Sequence, residues 1–150
     1  MREILFQGKR TNNDKWICGN LIHTQKEDLD YYEIITLDGL QSSTVKTETV
    51  RQFTGLTDKN GKKIFEGDIL KIISSVQGEI INNTRAFKSV KREDCASVLW
   101  NYKTGGYKLK VYHNGKYKRI ATFAIGHLCV YNAEVIGNCW DNPELLHEVK

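Results

Sequence analysis

Two carboxylates, Glu66 and Asp68, flank Gly67 in the stretch FTGLTDKNGKKIFEGDIL, which spans residues 53–70. Acids at this spacing could act as a general acid and base, or could bind Mg²⁺ through their oxygen atoms. Either chemistry needs further groups, and no catalytic histidine or phosphate-binding glycine loop lies nearby to complete a site. Acids beside a turn glycine are typical of backbone bends, so we expect no reaction centre here.

The same stretch contains the dipeptide Asn60-Gly61 between two apolar segments. Asn-Gly tolerates the positive φ angles of a two-residue type I′ turn, and therefore predicts a β-hairpin. Asp58 does not stand where an EF-hand Ca²⁺ loop would need it relative to Asn60 and Gly61. Asp68 can hydrogen-bond to the backbone beyond Gly67. The whole stretch is thus predicted to bend the chain.

Four cysteines, Cys18, Cys95, Cys129 and Cys139, are the other residues with reactive side chains. None forms a CxxC pair, and their spacing matches no zinc pattern. Free thiols of this kind are typical of a reducing compartment. We expect no metal and no other cofactor.

The bulk composition is that of a soluble globular protein, with 40% hydrophobic and 27% charged residues. The N-terminal sequence MREILFQGKR has no apolar run of the kind a signal peptide needs, and no later segment approaches the roughly 18 apolar residues of a membrane span. We therefore expect no membrane partner and no export. The formal net charge of +4 permits an anionic partner without requiring one.

Short segments rich in β-branched and aromatic residues alternate with Gly and Asn, which predicts an all-β fold. Breaks near Asp38-Gly39 and Ser42–Thr44 suggest that residues 1–52 form an N-terminal β lobe. Single helical turns are expected at Asp28–Tyr32 and Thr47–Phe53. The predicted strands are Glu3–Phe6, Lys15–Leu21, Tyr32–Leu37, Asp68–Ile73, Ala96–Asn101, Tyr107–Tyr112, Tyr117–Phe123 and Ala133–Ile136.

A short C-terminal helix is predicted from the sequence WDNPELL, residues 140–146. Asn142 can accept a hydrogen bond as N-cap, and Pro143 loses no bond at the first helical position. Glu144 suits the positive end of the helix dipole. Leu145 and Leu146 would then pack this helix onto a sheet.

Residues 102–119, YKTGGYKLKVYHNGKYKR, hold six basic residues, four tyrosines and no acid. Apolar and polar residues alternate strictly from Tyr107, as in a strand with one buried face. A second Asn-Gly, at residues 114–115, predicts another two-residue hairpin loop. In that register Leu109 would face Ile120 on the buried side.

On the exposed side, the same register puts Tyr112 opposite Tyr117 and Lys110 opposite Arg119, with Lys108 one step along. Like charges opposite each other destabilise a sheet by a few tenths of a kcal/mol, and a phosphate backbone would relieve that repulsion. Tyrosines beside cations also stack single-stranded bases. These five residues are the candidate nucleic-acid-binding site. Alternatively, the lysines only keep a solvated ribbon soluble and protect its edge from aggregation.

Three segments resemble the YopX-like family of phage and prophage proteins: REILFQGKR at residues 2–10, QFTGLTDKNGKKIFEGDIL at 52–70 and VIGNCWDNPELL at 135–146. The resemblance implies an all-β protein whose larger part, residues 53–150, is an SH3-type small barrel. It also implies a phage or prophage origin and a bacterial cytoplasmic setting. It implies no activity, and no catalytic or binding residues.

Three functional hypotheses follow. The first is a non-enzymatic phage accessory protein that binds nucleic acid through the hairpin of residues 107–119. The second is a protein-interaction or self-assembly module, with a second copy or another phage or host protein as partner. The third is a metal-assisted nuclease built on Glu66, Asp68 and a distant acid.

Overall fold

The fold is all-β, as predicted. The computed structural model describes residues 3–77, 89–122 and 132–146, which form strands and two single 3₁₀ turns. No helix in these ranges is long and apolar enough to cross a membrane. The strands are β1 (Phe6–Lys9), β2 (Trp16–Lys26), β3 (Leu29–Ile35), β4 (Ser42–Val45), β5 (Arg51–Thr57), β6 (Lys63–Phe65), β7 (Asp68–Gln77), β8 (Ser89–Asn101), β9 (Gly106–His113), β10 (Lys116–Thr122) and β11 (Ala133–Asn138).

The chain divides into two compact units. The first unit comprises Met1–Leu56 and Lys63–Gly67. The second comprises Thr57–Lys62 and Asp68–Lys150. Each unit contains its own sheet, with strand order β4-β3-β2-β1-β5-β6 in the first and β10-β9-β8-β7-β11 in the second.

In the first unit, β4 returns to the end of β1. Val45 bridges Arg10, and the Lys46 amide donates to the Lys9 carbonyl over 2.8 Å. This approach requires a glycine at position 8, because a Cβ there would lie 2.9 Å from the Val45 Cβ. Ile17 and Ile34 pack with Val45 into one small core cluster.

Gly19 lies where β2 passes β3. A Cβ added at this position would lie 1.9 Å from the carbonyl oxygen of Ile35 and 2.9 Å from the Cα of Thr36. Real Cβ atoms do not come this close to backbone atoms, so only glycine fits between the two strands.

The second unit is built on an antiparallel sheet with one face that carries most of its core. Leu70, Ala96 and Val111 lie side by side on β7, β8 and β9, and Val98 pairs with Leu109 in the next row; all five are buried. The described strands leave this sheet open, with β10 and β11 at its edges, and form no closed barrel. The SH3-type closure is therefore not confirmed.

Several local predictions from the sequence are wrong. The expected break at Ser42–Thr44 lies within β4, and the expected helical turn at Asp28–Tyr32 lies largely within β3. Of the turn predicted at Thr47–Phe53, only Thr47–Thr49 is helical, as 3₁₀. The β-hairpin predicted around Asn60-Gly61 is formed by β5 and β6, although the bounds of these two strands were not predicted. Phe123, at the end of one predicted strand, lies outside the described residues.

The predicted C-terminal helix is one 3₁₀ turn, Pro143–Leu146, within the described part of the chain. Pro143 does take the first position, and the Leu145 amide donates to the Asn142 carbonyl over 3.1 Å. Leu146 is buried as expected, whereas Leu145 remains partly exposed.

The first Asn-Gly loop is longer than the predicted two residues. Only Gly61 has a positive φ, of 80°, whereas a type I′ turn needs one at both central positions. The Asp58 carboxylate explains the difference, since it accepts hydrogen bonds from the amides of Asn60 at 2.8 Å and Lys62 at 2.9 Å. The Asp58 side chain thus provides hydrogen bonds that backbone carbonyls would otherwise accept between the two strands, and the turn it closes is wider.

This turn also binds the edge of the second unit's sheet. Asp58 accepts a further hydrogen bond from the Val135 amide at 3.0 Å, and the Lys59 amide donates to the Ala133 carbonyl at 3.0 Å. Asp58 is only 6% exposed. Burial alone would raise the pKa of this carboxyl, but the amides of Val135, Lys62 and Asn60 outweigh that effect and lower it. The stretch around residue 58 bends the backbone, as predicted.

Candidate nucleic-acid interface

The β9–β10 hairpin carries the five residues predicted to bind nucleic acid. Its loop is the predicted type I′ turn, because Asn114 and Gly115 have φ angles of 47° and 65° and His113 pairs with Lys116. Tyr112 lies opposite Tyr117, also as predicted.

Beyond Tyr117, the predicted register is wrong. A β-bulge at Lys118 shifts the pairing, so that Arg119 lies opposite Val111 and Ile120 lies opposite Lys110. Leu109 accordingly pairs with Ala121, not with Ile120. One extra residue in a strand has this effect, because it turns every later side chain to the other face.

The bulge changes the chemistry expected on the exposed face. Lys110 and Arg119 are not opposite each other, so there is no repulsion between them for a phosphate to relieve. Lys110 instead lies against two rings, with its Nζ 5.5 Å from the Tyr112 centroid and 5.7 Å from the Tyr117 centroid. The rings meet edge to face, with centroids 6.4 Å apart. Both cation–π contacts hold the ammonium group over aromatic surface.

We call this surface the ribbon face, defined by Lys108, Lys110, Tyr112, Tyr117 and Ile120. The Tyr117 side chain is 54% exposed and Ile120 is 46% exposed. Within the described chain, neither lysine forms an ion pair. Arg119, which the sequence assigned to this face, is exposed but aligned with Val111 on the other one.

Two acids on the strands across the sheet from the ribbon face are paired with lysines. Across the sheet from Tyr112, the same row continues through Cys95 and Lys71 to Glu134. The Lys71 ammonium lies 2.9 Å from the Glu93 carboxylate, and Lys59 lies 2.5 Å from Glu134. The bond to Glu93 is the main reason that the pKa of Lys71 is raised. Among the described residues, Lys108 and Lys110 of the ribbon face therefore have no acidic partner.

An open cleft of about 340 Å³ lies beside Tyr112. Behind it, His113 Nδ1 and Asp94 Oδ1 are 2.8 Å apart. Burial raises the pKa of the Cys95 thiol, which therefore stays protonated and a poor nucleophile at neutral pH. The lining residues are Lys71, Glu93, Asp94, Cys95, Tyr112, Asn114, Gly115 and Leu145.

No cluster of three or more His, Cys, Asp or Glu side chains that could hold a metal ion occurs in residues 3–77, 89–122 and 132–146. Asp68, one of the two acids of the nuclease hypothesis, is buried at the start of β7 opposite Asn138. Cys18 and Cys95 are free thiols, and Cys129 lies outside the described residues.

The comparison with protein families decides the affiliation of the chain. The family model described as YopX protein matches residues 5–147, nearly the whole length. The chain belongs to the YopX family. The resemblance of its three sequence segments is thereby confirmed, and the YopX match includes the whole β9–β10 hairpin.

Other comparisons add little to the YopX assignment. No curated protein matches the chain. Among solved structures, the chain is similar to the crystal structure of protein EF1440 from Enterococcus faecalis, with 20% sequence identity and a TM-score of 0.46. That similarity covers 98% of this chain and 100% of the other.

The sequence of this YopX-family member did not reveal the cleft. Its lining comes from three strands, a turn and the C-terminal 3₁₀ segment, so no local spacing connects Lys71, Glu93 and Leu145. The basic and aromatic alternation of residues 107–112 was the only local signal, and it indicated the neighbouring ribbon face.

Proposed function

We propose that this YopX-family protein binds single-stranded nucleic acid through the ribbon face, without catalysing a reaction. The observation that carries the proposal is the position of Lys110, held against two tyrosine rings, one of which is about half exposed. Single-stranded nucleic acid offers a partner for both groups: its phosphates can bind the lysines, and its bases can stack on Tyr117.

The setting inside the cell forms part of the same proposal. The resemblance to phage and prophage proteins supports an accessory role for a phage in the bacterial cytoplasm. An SH3-type arrangement of residues 53–150 is also a proposal, supported by the antiparallel strands of the second unit.

Replacement of Tyr117 by alanine should weaken binding of a fluorescently labelled dT15 strand about tenfold, because base–tyrosine stacking contributes about 1–3 kcal/mol. Fluorescence anisotropy at low salt measures the effect. Tyr102→Ala is the matched control, since Tyr102 is an exposed tyrosine on the β8–β9 turn. Equal loss in both variants would contradict stacking on the ribbon face.

Replacement of Lys110 by alanine should lower the salt dependence of binding. Each phosphate contact on a single strand contributes about 0.7 to the slope of log K against log salt concentration. We expect the slope to fall by about this amount, while Lys15→Ala, an exposed lysine of the first unit, leaves it unchanged. No binding of dT15 by the unmodified protein at tens of micromolar would end the proposal.

A second function, self-association, is favoured by the β3–β4 loop. Leu37 and Leu40 are 63% and 82% exposed on this loop. Asp38 fixes their backbone, since its carboxylate accepts hydrogen bonds from the Thr36 hydroxyl at 2.6 Å and the Leu40 amide at 3.0 Å. A loop that presents two leucines in a fixed conformation is suited to a protein partner, with a second copy as the simplest one.

Light scattering tests the self-association directly. We expect a mass above that of the monomer at high protein concentration, and we expect the double variant Leu37→Ser/Leu40→Ser to return it to the monomer value. A monomeric unmodified protein would exclude self-association through this loop.

A further inference from the structure

We infer that the cleft beside Tyr112 is a recognition pocket for one unstacked guanine base. This inference rests on the proposed binding of a single strand and adds a sequence preference to it. Single-stranded nucleic acid is read in this manner elsewhere, by bases that leave the stack, pack on aromatic rings and hydrogen-bond through their edges.

Continuity with the ribbon face is the first argument. Tyr112 lines the cleft and also meets Tyr117, with ring centroids 6.4 Å apart. A nucleic-acid strand with one base stacked on Tyr117 therefore brings a neighbouring nucleotide to the mouth of the cleft. At about 340 Å³, the cleft is within the size range of small-molecule sites.

The charges of the cleft favour a neutral ring over an anion. The Lys71 ammonium is paired with Glu93 over 2.9 Å, and Asp94 is bonded to His113 over 2.8 Å. The Lys71 and Glu93 charges lie together and offset each other, and the second carboxylate, Asp94, leaves the cleft without the excess of positive charge that a free anion would need. The Tyr112 ring and the Leu145 side chain add apolar surface for a flat heteroaromatic ring.

The hydrogen-bonding groups favour guanine among the four bases. The Glu93 side chain is 61% exposed, and the Lys71 ammonium lies 2.9 Å from its Oε2. A carboxylate accepts about four hydrogen bonds, so Glu93 retains free acceptor sites. Guanine presents two adjacent donors, N1–H and the N2 amino group, whereas thymine presents a single N–H. The exposed Asn114 amide can donate to the guanine O6.

Three labelled strands test the inference on the unmodified protein: dT15, dT15 with one central dG, and dT15 with deoxyinosine in its place. We expect the dG strand to bind about tenfold more tightly than dT15, the usual discrimination of a bidentate contact. The inosine strand, which lacks the N2 amino group, should fall between the two. Failure of dT15 itself to bind would contradict the proposed function. Binding of all three strands within twofold would overturn only the guanine pocket.

The variant Glu93→Gln tests whether the Glu93 side chain is responsible for the preference for dG. Glutamine replaces one acceptor by a donor, so we expect binding of dT15 to persist and the preference for dG to disappear. Glu134→Gln is the matched control, because Glu134 is also paired with a lysine but does not line the cleft. Retention of the dG preference in Glu93→Gln would overturn the inference, with circular dichroism as the check on folding.

Discussion

Replacement of Gly19 by alanine should destabilise the protein by about 3 kcal/mol, near the upper end of the cost of overpacking. The added methyl group would lie 1.9 Å from the Ile35 carbonyl oxygen. The obstacle is backbone, which cannot rotate away as a side chain can, so β2 and β3 must separate. We expect a lower midpoint in urea titrations followed by circular dichroism.

Gly106→Ala is the control for this experiment. A Cβ at position 106 meets no atom within 4 Å, and Gly106 does not have a positive φ. We expect a change in the free energy of unfolding within about 0.5 kcal/mol. Similar losses in the two variants would show that the cost reflects glycine replacement in general, not the close approach of two strands.

Loss of the Asp58 carboxylate has the second largest expected effect. Asp58→Ala leaves three backbone amides without their acceptor, and one of those hydrogen bonds is fully buried, so we expect a loss of about 3 kcal/mol. Asp58→Asn keeps one oxygen but turns an amide donor toward the Val135 N–H. Its cost should therefore be smaller, about 2 kcal/mol. Urea titration of both variants measures the series.

The contribution of Asp58 should also depend on pH. Its folded pKa lies below the ordinary value of 3.8, so the charged form is favoured by folding. The resulting stability is fully present above pH 3.8 and is lost as the pH falls from 3.8 through the lower folded pKa. The difference in stability between the unmodified protein and Asp58→Asn should therefore stay constant from pH 7 to pH 5 and shrink below about pH 4.

Asp38→Asn is the control for the pH experiment. The pKa of Asp38 is also lowered, first by the Thr36 hydroxyl, but this carboxylate lies on an exposed turn where solvent screens its interactions. We expect little change in stability at any pH. An equal pH dependence in both variants would contradict a special role for the buried Asp58.

The two Asn-Gly turns show how much of the fold local sequence determines. At residues 114–115 nothing competes with the intrinsic preference of the dipeptide, and the predicted type I′ turn forms. At residues 60–61 the carboxylate of Asp58 accepts the neighbouring amides, and a wider turn forms. The intrinsic preference of Asn-Gly for a type I′ turn is the same at both places. The turns differ because the Asp58 side chain, two residues before Asn60, binds the amides of the first one.

The candidate site shows the same limit. Alternation correctly placed Lys108, Lys110 and Tyr112 on one face of β9, because a strand has a fixed period of two. It could not place Arg119, because the alternation of apolar and polar residues does not reveal the bulge at Lys118. The cleft could not be predicted, since its residues meet only after three strands, a turn and the C-terminal 3₁₀ segment have folded together.

The turn at Thr57–Lys62 has a consequence for how the chain can be divided. Its amide and carboxylate groups bind Ala133 and Val135 along an outer strand that would otherwise be available to pair with foreign polypeptide. A recombinant fragment that begins at Asp68 would lack this turn. Its β11 would then be an uncovered edge strand that is prone to aggregate. One cut cannot separate the halves of this molecule cleanly, and truncations intended to isolate the latter half should start before Thr57.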